Sequence, residues 1–416
     1  VTVLMIILIM VDKLPFGAPP LLALLLLVVL GVTDIKTAFG GFSNSTIIML
    51  ASFMAIMAAL QKTSFIVKFR EMMYKMAGHG GFKAYVALIL IVMLGCSLFG
   101  TGSTAYYVLT IGLLSTLPYS KQLPPSKVLM PAGFAANHPL LPFNTALQYG
   151  IVVAVLESAG VIANVNLVKF TFVNVALSLG FFVWCLLAYK IMPDHPIAEA
   201  TEEAKANQTA VSTLPHNKEI ITYICFIVAV VGMLLQSVIG DAGYALTGLA
   251  VGGLLVFGIM DFTEIRNAIS APIILMSAGV IGIADALGNT GLTALVGQTV
   301  ANMLGTNVNP FILIFVFCVL TSVLATLTGS TIGTVYVFAP MAIATCVSLG
   351  LDPTAAAAAI VISGWCGHFL PIDGMPAMIM GAGNYTMKEF WKFTVPQYFI
   401  RLLFLTVGAV LIFPMA

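Results

Sequence analysis

The chain has 416 residues, 60% of them hydrophobic and only 8% charged, with a net charge of +1 and a mean hydropathy of +1.07. Ordinary soluble domains carry roughly a quarter charged residues, so no separate soluble domain fits and the chain reads as a polytopic membrane protein, for which we expect no nucleic-acid partner. The net charge itself says nothing about partners, since what matters is where the charges lie. Apolar segments of about 18 to 25 residues fill nearly all of it, and the six cysteines (Cys96, Cys185, Cys225, Cys318, Cys346, Cys366) lie within them without C-x-x-C spacing, which indicates neither metal nor disulfide.

Residues 1–12 form an apolar helix ended by Asp12-Lys13-Leu14-Pro15; with neither an initiator Met nor a basic leader, we expect the native start to lie upstream and read no signal peptide. A second helix covers 18–32, with Pro19 and Pro20 in its first turn, where a missing N–H costs little. A third runs from about 45 to 61. Lys62, Lys68, Arg70, Glu71, Lys75 and Lys83 then alternate with Phe65, Phe69, Met72, Met73 and Tyr74, the pattern of an amphipathic helix at a lipid headgroup interface. Residues 83–118 are apolar but split by Thr101-Gly102-Ser103-Thr104, which suggests a re-entrant helical hairpin. A helix from 127 is broken over Asn137–Asn144 and resumes to about 159, and another spans 166–190. The polar stretch 193–217 reads as a solvated linker.

Beyond the linker the pattern restarts. Spans are expected at 219–239, 242–260 and 271–287, an amphipathic piece at 290–307, and a second split hairpin at 308–349 around Thr328-Gly329-Ser330-Thr331. A helix from 353 is broken over Gly364–Asp373 and resumes at 376–384, before a last span at 392–413. The two T-G-S-T breaks are 227 positions apart, as are Ala59-Leu60-Gln61-Lys62-Thr63 and Ala286-Leu287-Gly288-Asn289-Thr290. Leu141-Pro142-Phe143-Asn144 matches Leu370-Pro371-Ile372-Asp373 at 229, and His138 matches His368 at 230. Two halves that each hold a broken hairpin and a broken helix are the pattern of transporter repeats, with the site between them at the membrane midplane.

Counting sides along these spans puts fourteen Lys and Arg residues on one side and only Lys36 and Lys169 on the other, with Arg401 inside the last span. The first side is then cytoplasmic, the two hairpins enter from opposite sides, and the repeats are inverted. We therefore expect a first repeat over 1–192 (scaffold 1–82, hairpin and transport helices 83–192), a cytoplasmic linker at 193–217, and a second repeat over 218–416 (scaffold 218–307, hairpin and transport helices 308–416).

A broken helix in hydrocarbon frees backbone polar groups that must be satisfied inside the protein or line a cavity. Starting half-helices offer N–H groups suited to an anion and ending ones offer carbonyls suited to a cation. Ser103, Thr104, Ser330 and Thr331 add hydroxyls for the anion, and His368 can donate to a carboxylate. For Na⁺, the oxygen-bearing candidates are Thr101, Gly102, Ser103, Asn137, Asn144, Thr328, Gly329, Ser330, Gly367 and Asp373. No Lys or Arg lies near the breaks in sequence, so the anion is expected to rely on helix ends, hydroxyls and co-bound cations. Asp373 either binds a cation or proton or caps the 376–384 half-helix; His138 and His368 either titrate or donate to a carboxylate, or instead satisfy loop carbonyls. Asn384 reads as a loop or capping residue, Glu157 and Asp285 as surface residues.

The order of segments, the helix ending in Ala-Leu-Gln-Lys-Thr, the paired tips and the paired Pro-containing breaks resemble the divalent-anion:sodium symporters, the dicarboxylate and citrate carriers of the ion-transporter superfamily, along essentially the whole chain. That resemblance implies a homodimer in which a scaffold holds the interface and a transport domain with both hairpins moves as an elevator. It also implies that Ser103, Thr104, Ser330 and Thr331 touch substrate or ions, with Pro142 and Pro371 beside them. The family's Ser-Asn-Thr tips read Gly102-Ser103-Thr104 and Gly329-Ser330-Thr331 here. The expected function is Na⁺-coupled symport of a small di- or tricarboxylate across a bacterial inner or plasma membrane. An anion exchanger or H⁺-coupled carrier of the same fold is the alternative, and a channel a more distant one. No enzyme is expected, because a nucleophile–base pair such as Ser330 with His368 leaves the twofold repetition without explanation.

Overall fold

The computed structural model describes residues 18–101, 104–115, 117, 121–141, 146–161, 165–198, 214–270, 309–328, 331–371 and 374–415, with isolated positions in 1–8 and 274–283. The expected helix over 1–12, most of the span at 271–287 and the amphipathic piece at 290–307 lie outside these residues.

Among the described residues the longer elements are all helical: α1 (Ala18–Val29), α2 (Ser45–Leu60), α3 (Phe65–His79), α4 (Gly81–Phe99), α5 (Thr104–Ser115), α6 (Pro125–Ala135), α7 (Ala146–Ser158) and α8 (Leu167–Ala188). After the linker come α9 (His216–Ile239), α10 (Asp241–Val256), α11 (Phe262–Ile269), α12 (Pro310–Thr328), α13 (Thr331–Ser348), α14 (Thr354–Ser363), α15 (Gly374–Gly383) and α16 (Met387–Ile412). Gly81–Phe99, Leu167–Ala188, His216–Leu235, Pro310–Leu327, Thr331–Ser348 and Met387–Ile412 are long and apolar enough to cross a membrane. At 1.5 Å per residue, the shortest of these covers about 27 Å, close to the thickness of a hydrocarbon core of about 30 Å.

The helices are apolar outward and polar inward. On α9 the residues Ile220, Ile224, Ile227, Val231, Leu235 and Val238 form an exposed stripe at helical spacing, and on α16 Phe399, Leu403, Val407 and Leu411 form another. The buried face of α16 instead carries Thr394, Gln397 and Arg401. On α8, Asn174 is buried and donates to Gln148 Oε1 at 2.9 Å. This reverses the soluble amphipathic pattern, as expected where lipid is the solvent and backbone and side-chain polar groups must pair inside.

Two packed groups result. α2, α9, α10 and α11 form one; α4 to α8 with α12 to α16 form the other, held together along α8 and α16. Within the second group, half-helices pair across the two halves of the chain: α6 and α5 lie on α15, and α7 lies on α14 and α13. The groups meet where α2 packs on α7, and α3, which packs on α4, is tied at its start to α9. That start is fixed by a carboxylate from the other half: Ser64 donates its N–H to Glu219 Oε1 at 2.5 Å and its hydroxyl to Oε2 at 2.8 Å. One residue pair earlier, Lys62 forms an ion pair with Glu264 of α11, which holds the Glu264 carboxyl below the usual carboxylate range.

The structure differs from the sequence reading at several ends. α1 stops at Val29, where Gly31 takes φ +69°. The span expected over 242–260 ends at Val256, and a separate helix, α11, follows, started by the Asp261/Glu264 capping box. The last helix begins at Met387 rather than 392, because Thr386 and Glu389 form a second capping box. Glu157 is half-buried rather than exposed and accepts from Asn44 Nδ2 at 2.7 Å. Asn384 separates α15 from α16 at φ +50°, the left-handed conformation that Asn tolerates at a helix end.

Candidate functional site

Both helix breaks form, and each is satisfied by its neighbours in a different way. In the first half, α6 ends at Ala135, and the amides of Asn137 and His138 turn back to Phe134 O and Ala135 O, both at 3.0 Å. The next free amides, Leu140 and Leu141, both donate to Ser97 Oγ of α4, at 2.7 and 2.9 Å. A single buried hydroxyl thus fixes the first break against the first hairpin. The hairpin turns at Gly100, which takes φ +94° and donates to Cys96 O at 2.8 Å. Its arms are joined by the Tyr106 hydroxyl, which donates to Val92 O at 2.7 Å, and by the stacked Phe99 and Tyr106 rings, 5.0 Å apart.

In the second half only two residues separate α12 from α13. The tip is seated on the second break: a Cβ on Gly364 would overlap Val335 Cγ2 of α13 at 2.6 Å and lie 3.2 Å from Thr331 Cγ2, and one on Gly367 would overlap Thr326 Oγ1 and Ser322 O of α12. Only glycine allows this approach of backbone to hairpin. The carbonyls freed by the break are taken up by side chains of α16, Trp365 O by Arg401 Nη2 at 3.0 Å and Phe369 O by Trp391 Nε1 at 3.1 Å.

The breaks meet through rings. Phe134, at the end of α6, lies 6.2 Å from the His368 ring. His138 stacks on Phe181 at 3.8 Å and 9°, and its Nδ1 lies 2.7 Å from Phe134 O. A carbonyl only accepts, so Nδ1 carries the proton and Nε2 keeps a lone pair. This is the loop-satisfying role weighed for His138 from sequence, yet Nε2 and His368 Nδ1 are both buried without a partner.

Of the residues expected at the site, Gly102, Ser103, Pro142, Asn144, Gly329, Ser330 and Asp373 lie outside the described residues. Thr104 opens α5 and Thr328 closes α12. Thr101 and Asn137 are buried, Thr331 and Pro371 half-buried. The structure brings Thr331, Gly367 and His368 to the second break and links that break through Phe134 to His138 and Asn137. One sequence reading is overturned: no Lys or Arg is near the breaks in sequence, but Arg401, buried in α16, is hydrogen-bonded to the second. The signal for it was present, since an ionisable residue inside a span is a functional candidate by default.

With six membrane-length apolar helices among its described residues, polar groups turned inward and two helix breaks meeting in its interior, this is a multi-pass integral membrane protein. A citrate transporter family profile, CitMHS, matches residues 6–363. The chain belongs to that family. It is similar to the uncharacterized transporter YfbS of Escherichia coli (strain K12), 24% identical over 214 residues, which are 51% of this chain and 33% of the relative. The matched stretch thus spans about a third of the length of that curated relative. Among solved structures, the Alcanivorax borkumensis YdaH transporter shares the fold with a TM-score of 0.61 at 16% identity, covering 90% of this chain and 87% of that one. Neisseria gonorrhoeae MtrF, described as illuminating a class of antimetabolite efflux pumps, aligns with a TM-score of 0.62 at 14% identity, over 94% of this chain and 85% of that one.

Proposed function

We propose that this transporter carries small organic di- or tricarboxylates by Na⁺-coupled symport, with the binding site between the two hairpin tips and the two helix breaks. The observation that carries this reading is the second break, where the hairpin tip at Thr331 rests on Gly364 and two freed backbone carbonyls, those of Trp365 and Phe369, accept from side chains of α16. The family's description as citrate transporters supports the substrate class. Hydroxyls at the tips and N–H groups at starting half-helices suit carboxylates; carbonyls and the Asp373 carboxylate suit Na⁺. We read the two halves as inverted repeats with re-entrant hairpins, supported by the reciprocal pairing of α6 with α15 and of α7 with α14. In this reading α4 to α8 and α12 to α16 form the transport domain. It moves as an elevator against a scaffold that contains α2, α9 and α10 and pairs with a second copy as a homodimer in a bacterial inner or plasma membrane.

A second reading, H⁺ coupling or anion exchange, is favoured by the buried, unpartnered nitrogens of His138 and His368. Radiolabelled citrate, succinate and tartrate uptake into proteoliposomes separates the two. Uptake driven by an imposed Na⁺ gradient, and abolished or uncoupled by Ser330→Ala or Asp373→Asn, is expected. Uptake indifferent to Na⁺ but driven by a pH gradient, or counterflow without any cation gradient, would replace symport with the second reading.

A further inference from the structure

α16 turns two polar side chains into the protein interior one helical turn apart, Gln397 and Arg401, each 2% exposed. Arg401 is the only Lys or Arg among the buried described residues. One nitrogen, Nη2, donates to Trp365 O at the end of the α14 segment; Nε has no acceptor, and neither polar atom of Gln397 has a partner. Within electrostatic reach of the guanidinium are His138, His368, Cys185, Tyr398 and Cys366, whose sulfur also accepts a hydrogen bond from it. None of these is a carboxylate, and no described carboxylate lies within ion-pair distance.

The Trp365 carbonyl and the Cys366 sulfur account for two of the five N–H groups of an Arg. They do not account for the charge, which a neutral amide donor would avoid at far lower desolvation cost. Buried cations in membrane domains face partners or pathways, and here the described protein supplies no anion. The position is informative. Trp365 follows Gly364, the residue on which Thr331 of the hairpin tip rests, so the charge lies directly behind the second tip and break. It also lies beyond residues 6–363, the part matched by the family profile.

We infer that Arg401 is the built-in counter-charge of the transported anion, a fixed cation behind the second break that favours multiply charged carboxylates and stands in for one co-bound cation. This rests on the small-anion reading above. Arg401 acts through the Trp365–Gly364 backbone and its field, as a positioning and specificity residue.

The test uses the full chain in proteoliposomes, with binding of citrate, succinate and acetate measured for wild type, Arg401→Gln and Arg401→Lys at fixed Na⁺, and folding followed by thermal melting. Arg401→Gln is expected to weaken citrate binding by about tenfold or more, succinate less and acetate least, while Arg401→Lys keeps the order citrate, succinate, acetate. A merely structural role would lower all three alike. That result overturns the inference, as does wild-type citrate affinity in Arg401→Gln. Restoration of Arg401→Gln by Asp373→Asn would also overturn it, because the partner would then be a carboxylate of the chain itself. If Arg401→Gln does not fold, loss of the order in Arg401→Lys overturns it independently. A wild type that binds none of the three removes the substrate reading and this inference together, whereas binding that ignores Arg401 removes the inference alone.

Discussion

Replacing Ser97 by alanine should loosen the first helix break. Ser97 is fully buried, so water cannot take over its role. Its Oγ accepts from the amides of Leu140 at 2.7 Å and Leu141 at 2.9 Å, and its own O–H donates to Met93 O at 3.0 Å. Ser97→Ala removes one acceptor and strands two N–H groups in a low-dielectric interior. Each buried, unsatisfied group costs about 1–3 kcal/mol, so the expected loss for two is about 2–6 kcal/mol. The O–H lost with the side chain adds little, because the Met93 carbonyl keeps its place in the helical ladder. The assay is thermal unfolding of the purified protein in detergent, with substrate uptake measured in parallel. Ser97→Thr, which keeps the hydroxyl, should stay near wild type, and Ser97→Val, which keeps the bulk without it, should behave like alanine. If Ser97→Val melted and transported like wild type, the two amides would not depend on this hydroxyl, and the account of the first break would fail.

Two further predictions concern the second break and the junction between the helix groups. Gly367→Ala puts a methyl into Thr326 Oγ1 and the Ser322 carbonyl, an overpacking expected to cost about 1–3 kcal/mol; Thr326→Ala should relieve only part of it, since the backbone carbonyl remains, as a double-mutant cycle in melting temperature would record. Glu264 is held below its ordinary value of 4.5 first by its hydrogen bond from Lys62. A lowered folded-state pKa contributes stability that is present above the unfolded value and lost as pH falls through the folded one. Because the Glu264 side chain is 37% exposed, solvent screening limits the effect to about 1 kcal/mol or less. Lys62→Met should therefore lower the melting temperature slightly at neutral pH and converge with wild type below pH 4.5; a difference that persisted unchanged in acid would refute the ion-pair account.

Where sequence and structure agree, the reason is local and physical. Long apolar runs, Pro in a first helical turn and polar interruptions of apolar segments were enough to locate most helices and both breaks, because a chain in lipid has few other ways to satisfy its backbone. The helix that the sequence reading missed, from Phe262, and the one whose start it misplaced, from Met387, follow Asp261-x-x-Glu264 and Thr386-x-x-Glu389. Those capping boxes are legible in sequence, but a reading driven by hydropathy passes over them because the first turns are polar.

The amino-acid sequence by itself determined the class, since only a membrane protein tolerates this hydropathy, and it determined the positions of the interruptions, since each is written in Gly, Ser, Thr, Asn and Pro. Tertiary structure decided what satisfies them. That Ser97 holds the first break, that Gly364 and Gly367 seat the second hairpin, and that Arg401 reaches Trp365 from 36 residues away all depend on how helices distant in the chain pack together. Hydropathy is a property of each segment alone. The electrostatics of a site built between segments arises only when they meet, which is why a positive charge read from sequence as one residue within the last span lies, in the folded protein, behind the second break.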